Sequence, residues 1–215
     1  MIRVGILGSG MVGEVLANGF LKEGYEVMRG SREPSKLESW KSVAGSTAQT
    51  GTFEQAAEFG ELIVLAVKGH AAEKVLESCG PIRLKGKTII DATNPISGEP
   101  VNGILPYFTG PGESLMERLQ KICPKANFVK AFSCVGYQHM VHPDFGGQRP
   151  TMFICGNSTL SKNNVREILL KWGWDAEDMG PVEAARAIEP LAMLWCIPGF
   201  AKNQWGHALK LLKSA

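Results

Sequence analysis

The chain has 215 residues, of which 44% are hydrophobic and 20% are charged, so it can bury the core of one domain, with or without a small appendage. The formal net charge of +2 gives no reason to expect nucleic acid or an anionic membrane as a partner. The five cysteines are odd in number and form no CxxC pair, which argues against a disulfide framework or a zinc site and predicts reduced thiols in the cytoplasm.

Apolar runs and segments of helical period alternate along most of the chain. Strands are predicted at Ile2–Leu7, Tyr25–Arg29, Leu62–Val67, Thr88–Asp91, Phe128–Phe132 and Met152–Cys155. Helices are predicted from Val12 to Phe20, after Pro34, and around Ala72–Cys79, Leu115–Ile122 and Val165–Trp172. This alternation predicts an α/β fold of the Rossmann type over residues 1–180, with a doubly wound and mainly parallel sheet.

The alternation stops at Pro181, which suits the first position of a helix. Residues 181–215 are predicted to form a small C-terminal helical segment, which Pro190 and Pro198 should divide into two or three pieces. Its apolar stretch PLAMLWCIPGFA is too short and too rich in proline for a transmembrane helix. A strand begins at the first residues, so we expect no signal peptide.

Residues 8–13 read GSGMVG, and they connect the first predicted strand to the first predicted helix. They match the G-x-G-x-x-G pattern of dinucleotide-binding turns. In that pattern Gly8 permits the tight turn, Gly10 lets a pyrophosphate approach the backbone, and Gly13 lets the helix pack closely on the strand. A glycine-rich turn without a ligand is the alternative, but the position between strand and helix favours dinucleotide binding.

The start of the first helix is the predicted anion site. Free backbone N–H groups near Met11 and Val12 point toward the anion. Glu14 is an unfavourable neighbour for a phosphate unless its side chain points away.

A basic cluster follows the second strand, at the place where NAD-binding proteins carry an acid for the ribose hydroxyls. The chain has Ser31 and Arg32 there, with Lys36 one helical turn on. An acid would repel a 2′-phosphate, whereas a hydroxyl, a guanidinium and an ammonium can donate hydrogen bonds to it. The cluster therefore favours NADP(H). Alternatively, Arg32 and Lys36 are solvated surface charges paired with Glu33 or Glu38.

With these motifs the chain resembles the NADPH-dependent F420 reductase family, the coenzyme F420-dependent NADP oxidoreductases. It is also similar to the cytosolic domain of the six-transmembrane ferric reductases. The resemblance covers essentially the whole chain and rests on GILGSGMVG, GSREPSK, LIVLAVKGHA, IIDATNP, VKAFSCVG, MFICGN and GPVEAARAIEPL. It implies that NADP(H) exchanges a hydride with a small-molecule acceptor, coenzyme F420 or another flavin-like ring, stacked against the nicotinamide.

The resemblance also assigns residues to parts of the site. Ser9, Met11 and Val12 would line the pyrophosphate, and the 2′-phosphate would be held by Ser31, Arg32 and Lys36. The residues along the cofactor would be Val67, Lys68, His70, Asn94 and Pro95. The residues near the nicotinamide and the substrate would be Asn94, Ser133, Cys134 and Val135.

Hydride transfer between a nicotinamide and a flavin-like ring needs proximity and stacking, so no catalytic side chain is predicted. A ketone or imine substrate would need a proton donor. The helix from Pro181 offers Glu183, Arg186 and Glu189 but no lysine for that role. Two alternatives stay open: an NADPH-dependent reductase of a small carbonyl or imine, and a non-catalytic NADPH-binding sensor.

The histidines do not predict a metal site. His70 lies along the cofactor or caps its helix. His139 and His142 have the spacing of a metal pair, but beyond Asp144 no third ligand follows, which favours an exposed loop. His207 is expected at a surface or an interface in the final helix.

The C-terminal aromatic residues Trp195, Phe200 and Trp205 could form an apolar lid, a dimer face, or packing on the domain. Together with the resemblance they predict a homodimer. Cys134 is expected to be a buried structural thiol, since a nucleophilic thiol needs a base and an electropositive pocket.

Overall fold

We describe residues 2–214 from a computed structural model; Met1 and Ala215, at the ends of the two predicted segments, lie outside the described residues. The strands are β1 (Arg3–Leu7), β2 (Glu26–Gly30), β3 (Ala48–Gly51), β4 (Leu62–Leu65), β5 (Thr88–Asp91), β6 (Asn127–Lys130), β7 (Thr151–Ile154) and β8 (Asp175–Asp178). The helices are α1 (Met11–Lys22), α2 (Glu38–Ala44), α3 (Phe53–Phe59), α4 (Gly69–Cys79), α5 (Pro81–Leu84), α6 (Leu115–Ile122), α7 (Thr159–Lys171) and α8 (Ala185–Lys202).

Within the described residues, six strands form one parallel sheet in the order β3-β2-β1-β4-β5-β6. This is the strand order of dinucleotide-binding Rossmann folds, so the predicted fold class is confirmed. The other two strands, β7 and β8, form a parallel pair, which an antiparallel bridge from Cys155 to Lys130 joins to β6. The strand order reverses beside β1, and ligands of such sheets bind beyond the carboxyl ends of the strands at that point.

Apolar side chains cover both faces of the central strands, which explains their continuous apolar runs. One core cluster packs Phe20 of α1 and Trp172 after α7 on one face of the sheet, and the two aromatic rings lie 4.9 Å apart. The second cluster includes Leu76 of α4 and Ile188 of α8 on the opposite face. The sheet is therefore wound on both sides, as the sequence predicts.

The sequence analysis did not find β3, α3, α5 and β8. The sequences of β3 and β8 are AQTG and DAED, and neither contains an apolar run. Each is an edge strand, which pairs with a neighbouring strand on one side only. Such a strand can form without the continuous apolar run of a buried central strand. The seven-residue α3 depends on a capping box, in which Thr52 accepts from the N–H of Gln55 at 3.3 Å and the Gln55 side chain accepts from Thr52 at 2.8 Å.

The expectation that prolines divide the C-terminal segment is wrong. Helix α8 runs continuously over 18 residues with Pro190 and Pro198 inside it, after a short 3-10 turn at Val182–Ala184. Each proline removes one backbone hydrogen bond. The helix persists because it buries Ile188 and Trp195 against the domain, and burial of large apolar side chains offsets such losses.

The chain after Lys202 was expected to be helical, and this is also wrong: the described residues from 204 onward are extended or irregular. The N–H of Thr151 donates to the carbonyl oxygen of Leu209 at 2.8 Å, and the N–H of Leu211 donates to the Thr151 hydroxyl at 3.1 Å. This segment therefore lies along β7. None of the described helices combines the length and apolar character that a membrane span requires.

A buried ionic cluster joins α8 to the sheet. Lys130, at the end of β6, is fully buried, and its Nζ lies 2.7 Å from Asp91 and 2.9 Å from Glu189. Burial acts to lower the pKa of Lys130, but the two carboxylates outweigh it and raise this pKa above its ordinary value. Glu189 also accepts the N–H groups of Leu115 at 2.9 Å and Met116 at 3.0 Å, which caps the start of α6.

Substitution of Lys130 by methionine should lower the free energy of unfolding by about 3–5 kcal/mol, because it leaves Asp91 and Glu189 buried without their cation. The matched control is Lys121→Met, because Lys121 pairs with Glu113 while its side chain is 71% exposed. That control should change the free energy of unfolding by less than about 1 kcal/mol. Urea unfolding followed by circular dichroism measures both, and equal losses would contradict the importance of the buried cluster.

Candidate functional site

The carboxyl ends of five parallel strands meet at one edge of the main sheet. The loops after β2, β1, β4, β5 and β6 lie there side by side, in that order. They carry the predicted site segments, which are residues 31–36, 8–13, 67–70, 94–95 and 133–135. The structure thus brings these segments to a single edge, and their contacts with a nucleotide stay predictions.

The three glycines of the turn differ in what surrounds them. A Cβ on Gly8 would lie 2.3 Å from the carbonyl oxygen of Ala66, and one on Gly13 would lie 2.6 Å from that of Gly8. These two glycines let β1, β4 and α1 pack closely. A Cβ on Gly10 would meet nothing within 4 Å, so packing does not require glycine there. The space beside Gly10 is open, as the approach of a pyrophosphate requires.

The start of α1 offers hydrogen-bond donors to that space. The first N–H groups of a helix have no partner within the helix. Gly10 occupies the cap position and has no side chain to accept from them. These donors and the helix dipole fit a pyrophosphate group.

Arg29, which the sequence analysis did not assign to the site, lies behind the glycine turn. Its side chain is buried in β2, and its Nη2 donates to the carbonyl oxygens of Ser9 at 3.1 Å and Gly10 at 3.3 Å. Its Nη1 donates to Glu14 at 3.0 Å, and its guanidinium stacks on Trp40 at 4.8 Å. Burial lowers the pKa of Arg29, and Glu14 opposes this shift. The sequence signal that could have identified this residue is the presence of an arginine within a strand that is buried.

The basic cluster lies at the end of β2. Ser31 is buried, and its hydroxyl accepts the N–H of Glu33 at 3.1 Å. Lys36 pairs with Glu33 at 2.9 Å, and both side chains are 63% exposed. For Lys36, therefore, the structure shows the exposed ion pair that the sequence analysis gave as the alternative to phosphate binding. An exposed ion pair of this kind contributes little and can be replaced by a phosphate. Arg32 is exposed and makes no side-chain hydrogen bond or ion pair to the described residues.

The loops after β5 and β6 are joined by one hydrogen bond, from Nδ2 of Asn94 to the carbonyl oxygen of Ser133 at 2.7 Å. The Oδ1 of Asn94 and the hydroxyl of Ser133 are buried and have no hydrogen-bond partner among residues 2–214. Buried polar atoms are normally paired, so unpaired ones are candidate ligand contacts. The amide of Asn94 and the hydroxyl of Ser133 could form hydrogen bonds with the carboxamide group of a nicotinamide. These two loops therefore fit the nicotinamide end of the cofactor.

Two further predicted residues complete this end of the site. Cys134 and Val135 are buried beside Ser133. Burial raises the pKa of Cys134 to about 12, so its thiol stays protonated at neutral pH. The chemistry available here is therefore binding and positioning rather than attack by a thiolate.

The loop after β4 places Val67 half-buried, with Lys68 exposed at the start of α4. His70 is exposed in the first turn of that helix, and the helix cap at Lys68 has no side-chain hydrogen bond. The capping role considered for His70 is therefore not seen. A Cβ on Gly69 would lie 2.0 Å from the carbonyl oxygen of Asn94, so α4 packs tightly against the loop after β5.

The other histidines lie outside the predicted site segments. His142 is exposed and lies 3.3 Å from Glu23, and His139 is half-buried. His207 is not in a helix, contrary to expectation; its Nε2 lies 2.8 Å from the carbonyl oxygen of Trp195, and the two rings stack at 5.0 Å. Within residues 2–214 no three His, Cys, Asp or Glu side chains are grouped to hold a metal ion.

The C-terminal aromatic residues pack on each other. Trp205 lies 5.7 Å from Trp195 and 5.1 Å from Phe200. Trp195 is buried against Gly136, in the loop that follows β6. Packing on the domain thus accounts for Trp195, whereas Phe200 is 41% exposed and the homodimer stays a prediction.

The fold and the glycine turn define a Rossmann-type dinucleotide-binding protein, and comparisons with known proteins make this more specific. Residues 3–95 match the family described as NADP oxidoreductase coenzyme F420-dependent. Metalloreductase STEAP3 of Rattus norvegicus is 30% identical over 200 residues, which are 91% of this chain and 38% of that protein. The chain therefore spans well under half the length of this relative.

Two solved structures are also similar. A proposed F420-dependent NADP reductase from Arthrobacter sp. FB24 is 27% identical with a TM-score of 0.92, over 99% of this chain and 100% of that one. A reductive aminase from Aspergillus terreus, in complex with NADPH and ethyl levulinate, is 19% identical with a TM-score of 0.67, over 94% of this chain and 62% of that one. This second likeness shows the fold alone.

These matches confirm the resemblance to the coenzyme F420-dependent NADP oxidoreductases that the motifs indicate. They point to an NADP-dependent oxidoreductase.

Gly10 faces open space and Gly13 is tightly packed, so substitutions at these two glycines test whether the turn binds the nucleotide. Gly10→Val should keep the free energy of unfolding within about 1 kcal/mol of wild type, since the space is open. It should weaken NADPH binding at least about tenfold, because the side chain fills the approach to the turn. Gly13→Val is the control and should destabilise the fold by about 1–3 kcal/mol through overpacking. Urea unfolding and calorimetric titration separate the two effects; undiminished NADPH binding by Gly10→Val would contradict the assignment.

Proposed function

We propose that this protein transfers a hydride between NADP(H) and a flavin-like acceptor, coenzyme F420 or a flavin. The observation that carries the proposal is the chemistry beside the predicted nicotinamide position. Residues 94–95 and 133–135 supply an amide, a hydroxyl, a protonated thiol and apolar groups. These groups can position a ring, and hydride transfer between two rings needs no more than that.

Lys130 is the buried cation behind the loop after β5, and its surroundings argue against a role as proton donor. Its Nζ donates to the carbonyl oxygen of Thr93 at 3.0 Å and is enclosed by Asp91 and Glu189. These carboxylates raise its pKa, although burial acts the other way. A buried ammonium whose pKa is raised above its ordinary value is poorly suited to general acid catalysis, which needs a pKa near the operating pH.

Each part of NADP(H) has a matching group of residues. The donors at the start of α1 suit the pyrophosphate, and Ser31, Arg32 and Lys36 suit the 2′-phosphate. Asn94 Oδ1 and the Ser133 hydroxyl suit the carboxamide, which would fix the orientation of the nicotinamide. When bound, the nicotinamide supplies or accepts the hydride; the protein orients it and keeps water from the buried side.

Reduction of a small imine or carbonyl is the second candidate, because the reductive aminase shares the fold. The chain spans 62% of the length of that enzyme. A shared fold does not establish a shared reaction, and the groups at this site favour the flavin-like acceptor.

Stopped-flow oxidation of NADPH against a panel of acceptors tests the proposal. The panel includes coenzyme F420, FMN, FAD, quinones, ferric chelates, ketones and imines. We expect turnover with planar ring acceptors and none with ketones or imines. Turnover with an imine, with a solvent isotope effect and a steep pH dependence, would support the second candidate instead. Tight NADPH binding without turnover of any acceptor would indicate a sensor.

The basic cluster should determine the choice of nucleotide. Arg32→Ala should weaken NADPH binding by about 1.5–3 kcal/mol, the scale of a charge-assisted hydrogen bond, and leave NADH binding nearly unchanged. Arg166→Ala, which removes an exposed arginine of α7, is the matched control and should change neither. Calorimetric titration with both nucleotides measures the difference, and equal losses for the two would contradict the role of Arg32.

A further inference from the structure

Arg29 has no place in the function described so far, although it is among the largest fully buried side chains of the protein. We propose that Arg29 is a positioning residue that sets the affinity of the glycine turn for the pyrophosphate of a pyridine nucleotide. It holds the turn carbonyls on the side away from the ligand, and it neutralises Glu14. The inference rests on the proposed binding of NADP(H) at this turn.

The first step concerns the backbone of the turn. An anion site made of peptide groups works when the N–H groups face the anion and the carbonyl oxygens face away. Arg29 Nη2 donates to the carbonyl oxygens of both Ser9 and Gly10, at 3.1 and 3.3 Å. Because a Cβ on Gly10 would meet nothing within 4 Å, side-chain packing does not fix the backbone there. The two hydrogen bonds from Arg29 hold these carbonyls instead, and the N–H of Glu14 also donates to the Gly10 carbonyl at 3.0 Å.

The second step concerns charge. Glu14 lies in the first turn of α1, where an acid stabilises the free helix but opposes a bound phosphate. Its carboxylate lies 3.0 Å from Arg29 Nη1, and its side chain is 41% exposed while that of Arg29 is 1% exposed. This ion pair neutralises the negative charge of Glu14 from the buried side of the turn. The N-terminus of α1 therefore keeps its positive potential toward the ligand.

The third step is the requirement for arginine rather than lysine. A planar guanidinium presents donors along two edges in fixed directions, whereas an ammonium is a point charge. One nitrogen of Arg29 serves the turn and another serves Glu14, while the face stacks on Trp40 at 4.8 Å. Trp40 is held in turn by a hydrogen bond from its Nε1 to Asn18 at 2.8 Å.

The arrangement also has a cost in stability. The Nε of Arg29 is buried and has no hydrogen-bond partner among the described residues. A buried N–H without a partner is unfavourable, and local violations of this kind concentrate at functional sites. This agrees with a role in binding rather than in stability alone.

Arg29 and Arg32 should therefore act on different parts of the nucleotide. Arg32 is exposed near the predicted 2′-phosphate position, which NADH lacks. Arg29 acts on the pyrophosphate, which NADPH and NADH share. Loss of Arg29 should weaken both nucleotides by the same factor and leave the preference between them unchanged.

The experiment is a double-mutant cycle read by calorimetric titration of NADPH and NADH, without any acceptor. Arg29→Met should weaken both nucleotides about tenfold to a hundredfold, the range for loss of a charge-assisted hydrogen bond. Glu14→Gln alone should change affinity less than about threefold. In the Arg29→Met background, Glu14→Gln should recover at least about threefold, because an unpaired carboxylate then faces the phosphates. The loss in Arg29→Met should also shrink at high salt, which screens that carboxylate.

The matched control is Lys162→Met. Lys162 is also a buried cation that donates to a carboxylate, Asp178, and to a carbonyl oxygen, that of Gly180, but it lies on α7. It should leave nucleotide affinity unchanged. If Arg29→Met does not fold, Arg29→Lys carries the same test, with a smaller and equal loss for both nucleotides.

The outcomes are distinct. Wild-type affinity in the Arg29 variants, or the same effect of Glu14→Gln in both backgrounds, would overturn the inference and leave the proposed function intact. A loss confined to NADPH would overturn it too, since the 2′-phosphate would then be the group concerned. A wild-type protein that binds neither nucleotide would overturn the proposed function and this inference together.

Discussion

The close approach of α1 to the central strands is the constraint on which the candidate site depends. Gly8 and Gly13 leave no room for a Cβ, since one would lie 2.3 or 2.6 Å from a backbone oxygen. Because the turn is this tight, the helix starts directly above the carboxyl ends of β1 and β4, where the strand order reverses. The donors of the helix start and the loops after β5 and β6 then share one edge.

Two buried cations support this edge from behind in the same way. Arg29 donates to the carbonyls of Ser9 and Gly10, and Lys130 donates to the carbonyl of Thr93 at 3.0 Å. Each is balanced by carboxylates, Glu14 for Arg29 and Asp91 with Glu189 for Lys130. A buried charge without such a partner would be costly. The site loops are thus held through their backbone from the protein side, and their other side is left for a ligand.

Two similarities bear differently on the function of this protein: one to a reductive aminase, the other to the F420-dependent NADP oxidoreductases. The first is a likeness of fold, and such folds carry many reactions. The second includes the glycine turn and the basic cluster, which lie within residues 3–95. Asn94 and Ser133 to Val135, at the far end of the candidate site, are the residues proposed to lie beside the acceptor.

The sequence by itself determined the elements and motifs that depend on neighbouring residues: the buried central strands, the glycine turn, and the basic cluster after β2. It did not reveal β3 and β8, since edge strands depend on pairing more than on an apolar run. Tertiary packing decided that α8 continues through Pro190 and Pro198, because burial against the domain outweighs local propensity. It also decided the surroundings of Arg29 and Lys130: their partners Ser9, Glu14 and Glu189 are distant in the chain, and only folding brings them together.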